Sequence, residues 1–284
     1  MKPILSFLLL TFLFSSFFYA LIILSGHLGG ASGLYVTGLM WCPGLAAFII
    51  IWLNKNTTKP INWSVGSTRF LSWSYLLPFL YALVTYLIIW ISGLGGFYNH
   101  EFVENAISQI GIDRLPGSVS FLLFVLLTAV FGFIKGSISA LGEEIGWRGF
   151  LAPAMYKQYG FTITAFVSGI IWAVWHYPIL IFADYNNATP VWYGLACFTA
   201  MIIGLSFIFT WIRLKSGSIW TAVILHASHN LFIQRLFTPL TSNTGKTAWI
   251  MDEFGIGLAI ITLILGIYFY TRRGELPQTT TENL

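Results

Sequence analysis

Long apolar stretches alternate along the chain with short polar ones, and each apolar stretch is long enough to cross a membrane. About 20 apolar residues, rising about 1.5 Å each, match the roughly 30 Å hydrocarbon core of a bilayer. Eight stretches meet this condition, at 4–24, 34–53, 70–91, 119–141, 161–182, 191–212, 218–237 and 254–270. The pattern predicts an all-α, polytopic integral membrane protein with about eight transmembrane helices.

The composition excludes a water-soluble domain. Only 8% of the 284 residues are charged and 57% are hydrophobic, whereas a soluble chain carries about 25% charged residues. A soluble fold of this size could not cover its surface with so few polar side chains. The first stretch is longer than the 7–15 apolar residues of a signal peptide, so we predict that it is a retained span.

The charges between the stretches predict the orientation. If the N-terminus is cytoplasmic, ten basic residues fall on the cytoplasmic side and two, Arg114 and Lys246, on the other. The ten are Lys2, Lys55, Lys59, Arg69, Arg148, Lys157, Arg213, Lys215, Arg272 and Arg273. Because Lys and Arg accumulate in cytoplasmic loops, both termini are predicted to be cytoplasmic, at the cell membrane in a prokaryotic host. This bias accounts for the basic excess without nucleic acid as a partner.

Polar clusters interrupt or follow three of the apolar stretches. They are Glu143, Glu144 and Arg148 after the fourth, Trp172 and His176 in the fifth, and His226, His229 and Asn230 in the seventh. An ionisable group in hydrocarbon costs at least about 2.5–3.5 kcal/mol, so each cluster predicts a functional site. Each also has a structural interpretation: a solvated helix end for the acids, and hydrogen bonding between helices for the histidines.

Helical spacing assigns different tasks to these residues. Glu144 and Arg148 are four residues apart, which is the spacing of an ion pair on one helix face. Glu143 points about 100° away and is predicted to face a cavity, where a poorly solvated carboxylate can act as a general base. His226 and Asn230 also share a face, and the Asn amide can donate hydrogen bonds to a developing oxyanion.

In this order, the clusters resemble the three motifs of the CPBP (CAAX protease and bacteriocin-processing) family of intramembrane endopeptidases. This family includes the type II CAAX prenyl endopeptidases. The resemblance rests on Glu143-Glu144-xxx-Arg148, Trp172-xxx-His176 and His226-xxx-Asn230, within residues 142–230. One departure is Trp172, where the family usually has Phe.

The resemblance implies a function for most of these residues. Glu143 and His176 would activate a water, and His226 and Asn230 would bind the oxyanion that forms on a peptide carbonyl. Glu144, Arg148, Trp172 and His229 would support the site. The implied substrate is a membrane-associated peptide or protein, such as a prenylated CAAX protein or a leader peptide. No cofactor is favoured, because the chain lacks the HExxH zinc motif. Zinc held by Glu143, His176 and His226 stays open as an alternative.

The predicted spans place Glu143 at the cytoplasmic edge, about 12 Å in depth from His226 and about 22 Å from His176. We therefore predict that the fourth helix continues past Leu141 towards Pro153 and that the fifth span tilts or begins deeper. A water-filled cavity, open to the cytoplasm, would then join the clusters. Gly132 with Gly136, and Gly142 with Gly146, are predicted to allow close helix packing on the fourth helix.

The predicted organisation has three parts. Residues 1–117 would form the first three helices, 118–238 the catalytic core, and 239–284 the last helix and a tail that is disordered over 276–284. Two other classes of protein stay open. A proton- or cation-coupled transporter would use the same acids and histidines, but no matched pair of broken helices is visible. The other is a catalytically silent immunity or scaffold protein on the same fold, against which the sequence argues only weakly, because every motif position is filled.

Overall fold

The computed structural model describes residues 2–55, 61–186 and 188–277, and these are mostly helical. Six of the described helical segments are long and apolar enough to cross a membrane. They include α1 (Lys2–Ser25), α2 (Leu34–Leu53), α3 (Thr68–Ile91) and, later in the chain, α8 (Val191–Ser216) and α11 (Ile256–Thr271) with the turn that follows it. A short helix, α4 (His100–Gln109), lies between α3 and the next span. The predicted all-α class and the integral membrane location are confirmed.

The longest helical segment, Gly117–Phe182, contains the fourth and fifth predicted spans. It consists of α5 (Gly117–Leu127), α6 (Phe133–Glu144) and α7 (Ala152–Phe182), joined by π-helical turns at Thr128–Gly132 and Ile145–Leu151. Gly160 breaks the segment with φ 70° and ψ −179°, a conformation that glycine reaches without steric cost. The predicted continuation past Leu141 to Pro153 is confirmed.

The seventh predicted span is helical without interruption from 219 to 240. It contains α9 (Ile219–Asn230), a π-helical turn (Leu231–Phe237) and α10 (Thr238–Leu240). The described helices therefore include all eight predicted spans, and the number that crosses a bilayer stays a prediction.

Contacts between loops and near helix ends define two ends of this helical bundle. At the first, the Tyr156 hydroxyl donates to the backbone carbonyl of Pro277 over 2.8 Å. The ring of Phe7, near the start of α1, packs 5.0 Å from that of Phe150. Ser218 donates to a backbone carbonyl at 64 over 2.7 Å, which joins two loops. We name this the terminal end, because residues near both termini lie there.

The opposite end, named the distal end, gathers the other loops. The backbone N–H of Leu28 donates to the carboxylate of Asp184 over 2.6 Å, which joins the α1–α2 loop to the α7–α8 loop. The strands β1 (Gly96–Phe97) and β2 (Thr241–Ser242) pair antiparallel here, so the loop after α3 meets the loop before α11. Successive helices therefore run alternately between the two ends.

Close packing of α6 on α2 fixes the position of the Glu143–Glu144 segment. A Cβ on Gly142 would lie 2.7 Å from Trp41, and one on Gly146 would lie 2.4 Å from Pro43. Only glycine allows the two helix backbones to approach this closely. The predicted Gly142/Gly146 contact is confirmed, whereas Gly136 makes only ordinary contacts, the nearest at 3.7 Å.

The structure differs from the sequence-based topology at Arg148 and at Leu276. Arg148 was predicted to lie in a cytoplasmic loop, and this is wrong. It lies inside the second π-helical turn with 2% of its surface exposed. The fourth helix continues through this segment, so no loop forms there. Leu276, predicted to begin a disordered tail, is buried. Lys59 and residues 278–284 of the tail lie outside the described residues.

Candidate active site

A cavity of about 170 Å³ lies among α2, α6, α7, α8 and α9. This volume is well above the 10–15 Å³ or so that one water molecule needs. Six of the predicted site residues line it: Glu143, Trp172, His176, His226, His229 and Asn230. The three sequence clusters, separated by up to about 90 positions along the chain, therefore meet around one space large enough for water.

Glu143 is oriented by two indole N–H groups. Its Oε2 accepts a hydrogen bond from Trp172 Nε1 over 2.8 Å and from Trp147 Nε1 over 3.3 Å. Trp147 is one helical turn along the same helical segment, and Trp172 comes from the middle of α7. Within the described part of the chain, Oε1 of Glu143 has no hydrogen-bond partner, and it is the oxygen available to a molecule in the cavity.

Glu144 does not line the cavity, and its carboxylate accepts hydrogen bonds from two side chains. Its Oε1 accepts from Arg148 over 3.1 Å and from His226 Nδ1 over 2.8 Å. The Arg148 guanidinium also lies 4.0 Å from the ring centre of Trp172 and 4.4 Å from that of Phe209. The predicted Glu144–Arg148 pair is confirmed. Its link to His226 was not predicted, and it makes Glu144 the residue that orients this histidine.

The hydrogen-bond partners assign the tautomers of both cavity histidines. Nδ1 of His176 lies 2.9 Å from the backbone carbonyl of Trp172, and Nδ1 of His226 lies against the Glu144 carboxylate. Carbonyl and carboxylate oxygens only accept, so Nδ1 is the donor in each ring. Nε2 of each histidine is then left for a ligand in the cavity, and neither Nε2 has a hydrogen-bond partner among the described residues.

A second buried cluster, which sequence reasoning missed, lines the distal part of the same cavity. His229 Nε2 lies 2.9 Å from Glu253 Oε1, and its Nδ1 lies 2.5 Å from the Tyr81 hydroxyl. Glu253 Oε2 accepts from Tyr185 over 2.8 Å and from Gln234 over 3.1 Å. The sequence suggested only an acidic loop here, and no helical spacing connects Glu253 to His229.

The loop that carries Glu253 holds two carboxyl groups whose pKa values are shifted in opposite directions. Burial acts to raise the pKa of Glu253, but hydrogen bonds from His229, Tyr185 and Gln234 outweigh it and hold this pKa below its usual value. At Asp252, burial and then the adjacent Glu253 charge raise the pKa from 3.8 to about 7. Of the two, Asp252 is therefore the carboxyl that holds its proton to the higher pH.

Zinc held by Glu143, His176 and His226 stays a prediction. Among the described residues, no three His, Cys, Asp or Glu side chains are grouped as metal ligands. Glu143 Oε2 accepts from two indole donors, and His226 Nδ1 donates to Glu144. Glu143 Oε1 and the Nε2 atoms of His176 and His226 are the atoms left to face a ligand in the cavity.

The fold and the site define a class of protein: a helical integral membrane protein with buried Glu, His and Asn side chains around a cavity that can hold water. Residues 115–232 match the family model described as Type II CAAX prenyl endopeptidase Rce1-like. This confirms the resemblance predicted from the three motifs, and the chain is similar to that family over this segment. All eight predicted site residues lie within it.

A curated relative matches as well. The chain is 33% identical over 101 residues to CAAX prenyl protease 2 of Methanococcus maripaludis, an alignment that covers 33% of this chain and 36% of the relative. The chain thus spans about a third of the length of the curated relative that it matches.

Proposed function

We propose that this protein is an intramembrane endopeptidase that hydrolyses a peptide bond of a membrane-associated polypeptide. The observation that carries the proposal is the convergence of Glu143, His176, His226 and Asn230 on one cavity with room for water. The similarity to a family described as prenyl endopeptidases supports the same reaction class.

In the proposed reaction, Glu143 acts as the general base. Its Oε1 accepts a proton from a water molecule while the water oxygen bonds to the carbonyl carbon of the substrate. The two indole donors on Oε2 restrain the carboxylate, so the base is oriented before the substrate binds. His176 Nε2 accepts a second hydrogen bond from the same water. Glu143 then returns the proton to the leaving amine as the C–N bond breaks, which balances the hydrolysis.

His226 and Asn230 stabilise the negative charge that develops on the carbonyl oxygen. The Asn230 amide donates without ionising. His226 Nε2 donates when the ring is protonated, and the Glu144 carboxylate on Nδ1 balances the positive charge of that ring. One such donor typically contributes about 10²–10³ in kcat. Glu144 and Arg148 are positioning residues, because they act on the substrate only through His226.

The first substrate to test is a prenylated peptide, because the similar protein of Methanococcus maripaludis is named a CAAX prenyl protease. The apolar lining of the cavity by Leu39, Ile202 and Leu205 suits an apolar or lipidated segment. A leader peptide anchored in the membrane is the other substrate class within this proposal.

The proposal is tested with purified protein in liposomes and a quenched-fluorescent prenylated peptide. Replacing Glu143 with Gln keeps the side-chain shape and removes the base, so we expect cleavage to fall at least about 10²-fold. His226→Ala is expected to lower kcat by a similar factor. Glu275→Gln, which changes a partly exposed acid at the terminal end, serves as the matched control and should cleave like the wild type.

Other outcomes of the same experiment would contradict the proposal. Unchanged cleavage by Glu143→Gln would remove this residue from the reaction. Loss of cleavage on adding a chelator, restored by zinc, would overturn the metal-free mechanism. Ion flux through the liposomes without any peptide cleavage would favour the transporter.

A further inference from the structure

A tyrosine from a loop packs against His176. Tyr185 lies in the α7–α8 connection, and its ring centre is 6.4 Å from that of His176, with the two ring planes 27° apart. A nearly parallel, offset arrangement is one of the preferred geometries of aromatic pairs. Both side chains line the cavity. The imidazole that would bind the attacking water therefore contacts a side chain from outside its own helix.

His176 needs a second restraint of this kind to keep one orientation. Its Nδ1 donates to the backbone carbonyl of Trp172 over 2.9 Å. This bond restrains one ring atom, whereas the direction of Nε2 also depends on the plane of the ring. Trp175 and Phe198 meet the ring at steep angles of 89° and 61°. Among the described residues, Tyr185 alone packs nearly parallel to the imidazole, so it is the contact that restrains the ring plane.

The Tyr185 hydroxyl is held by two other elements of the fold. It donates to Glu253 Oε2 over 2.8 Å and accepts from Gln234 Nε2 over 3.3 Å. Glu253 belongs to the α10–α11 connection, and Gln234 to the π-helical turn after α9. Gln234 also donates to the same Glu253 oxygen over 3.1 Å, which closes a triangle of hydrogen bonds. Tyr185 therefore cannot turn away from His176 without breaking bonds to both elements.

Glu253 is in turn fixed by helices on its other side. Only 4% of its surface is exposed, and a carboxylate at that depth is costly unless it is hydrogen-bonded. Its Oε1 accepts from His229 Nε2 over 2.9 Å, and His229 Nδ1 lies 2.5 Å from the hydroxyl of Tyr81 on α3. The buried cluster thus runs from α3 and α9 through Glu253 to the ring that packs on His176.

We propose that Tyr185, held in place by Glu253, is a positioning residue that orients His176 towards the attacking water. This inference rests on the proposed function and adds to it a task for the cluster that the reaction does not use directly. Glu253 acts through Tyr185, and Tyr185 acts through His176. Orientation of this kind affects the rate, since a misplacement of about 1 Å can cost about 10²-fold.

Tyr185→Phe tests the inference, because it keeps the ring and removes the hydroxyl that holds it. With the prenylated peptide in liposomes we expect kcat to fall about 10-fold and KM to stay within about two-fold, since the ring orientation acts on the transition state. Tyr193→Phe is the matched control. It removes a hydroxyl that donates to the backbone carbonyl of Trp249 over 2.6 Å, and Tyr193 does not line the cavity, so kcat should stay at the wild-type value.

Glu253→Gln is the conservative variant. The Gln amide keeps an oxygen that can accept from Tyr185, and its NH₂ group can donate to His229 Nε2 if that ring takes its other tautomer. We therefore expect Glu253→Gln to lose less kcat than Tyr185→Phe. A larger loss than that of Tyr185→Phe would contradict the inference, because the hydroxyl contact would then not be what orients the site.

Magnetic resonance of isotope-labelled histidine rings, with the protein in detergent, gives a readout that does not depend on activity. The signal of His176 is identified by its absence in His176→Gln. Tyr185→Phe should move this signal, and Tyr193→Phe should not. The signals of His27 and His100, which do not line the cavity, serve as internal references and should stay in place.

The two readouts separate failure of this inference from failure of the proposed function. An unmoved His176 signal in Tyr185→Phe would overturn the inference, and so would an equal fall of kcat in Tyr193→Phe. A wild type that cleaves no membrane-associated peptide would contradict the proposed function. In that case, a His176 signal that responds only to Tyr185→Phe would still support the orientation of His176 by Tyr185.

Discussion

Three contacts of the site join residues that are one helical turn apart. Glu143 meets Trp147, Glu144 meets Arg148, and the carbonyl of Trp172 meets His176. Each of these contacts follows from four-residue spacing on a helix. Two other contacts, from Trp172 to Glu143 and from His226 to Glu144, join different helices. At the residue scale, local spacing thus orients each group, and a partner on another helix brings it to the cavity.

Trp172 takes part in both kinds of contact, within its own helix and to another helix. The family that the three motifs resemble usually has Phe at this position. Trp172→Phe removes the shorter of the two indole hydrogen bonds to Glu143 and keeps an aromatic ring beside Arg148. A hydrogen bond to a charged group contributes about 1.5–3 kcal/mol, so we expect kcat to fall about 10- to 100-fold without abolishing cleavage. Steady-state kinetics with the peptide in liposomes measures this.

The matched control for this prediction is Trp211→Phe. It also removes a buried indole donor, which bonds the backbone carbonyl of Arg272 over 3.0 Å, and Trp211 is not among the described residues that line the cavity. Both variants should lose similar thermal stability, but only Trp172→Phe should lose kcat. Equal kinetic losses would mean that the Glu143 hydrogen bond contributes nothing beyond packing.

At the scale of elements, the segment from α6 through the π-helical turn to α7 carries most of the machinery. The turn Ile145–Leu151 directly follows Glu143 and Glu144, and π-helical turns of this kind often occur at functional sites. Contact with α2 at Gly142 and Gly146 sets how deep the two glutamates sit. The depth difference expected from the sequence is resolved by this element, which stays helical past Leu141, as predicted.

Gly142→Ala is expected to destabilise the protein by about 1–3 kcal/mol. The added Cβ would meet backbone atoms of Met40 and Trp41, which cannot move without shifting α2. Gly136→Ala is the control on the same helix, where the nearest atom is 3.7 Å away and alanine favours the helix. Thermal unfolding in detergent should show a lower midpoint for Gly142→Ala and an unchanged or higher one for Gly136→Ala. The reverse order would contradict the close contact.

At the scale of the whole molecule, the two ends of the bundle have different tasks. The terminal end holds most of the described basic residues, and the distal end holds most of the described acids and the loops that line the cavity. Glu253 joins these loops to the helices, since it accepts hydrogen bonds from His229, Tyr185 and Gln234. The distal end is therefore where pH should act on stability.

The raised pKa of Asp252 predicts the direction in which the stability of the protein changes with pH. Because its pKa is raised from 3.8 to about 7 in the folded protein, the folded state holds a proton that the unfolded state has lost between these values. The free energy of unfolding should therefore decrease as pH rises from about 4 to about 7. Asp252→Asn cannot ionise and tolerates the positive φ of 65° at this position.

We expect this variant to match the wild type near pH 4 and to exceed it by about 1–2 kcal/mol near pH 8. The size is modest because Asp252 keeps some solvent exposure. Thermal unfolding in detergent across this pH range measures the difference. Parallel curves for the two proteins would show that Asp252 does not carry this dependence.

The sequence by itself determined what depends on neighbours along the chain and on the thickness of a bilayer. Span length and charge scarcity define the membrane protein, and four-residue spacing predicts the Glu144–Arg148 pair. The order of the three clusters led to the family. Span length, charge scarcity and four-residue spacing are set by helix geometry or by the solvent. They can therefore be recognised in the sequence without knowing how the helices pack.

Only the tertiary structure decided which groups meet. The Trp172 donor to Glu143, the His226–Glu144 bond and the Glu253 cluster depend on the depth, tilt and rotation of helices distant in sequence. Packing at contacts such as Gly142 against Trp41 sets these variables, and no periodicity records them.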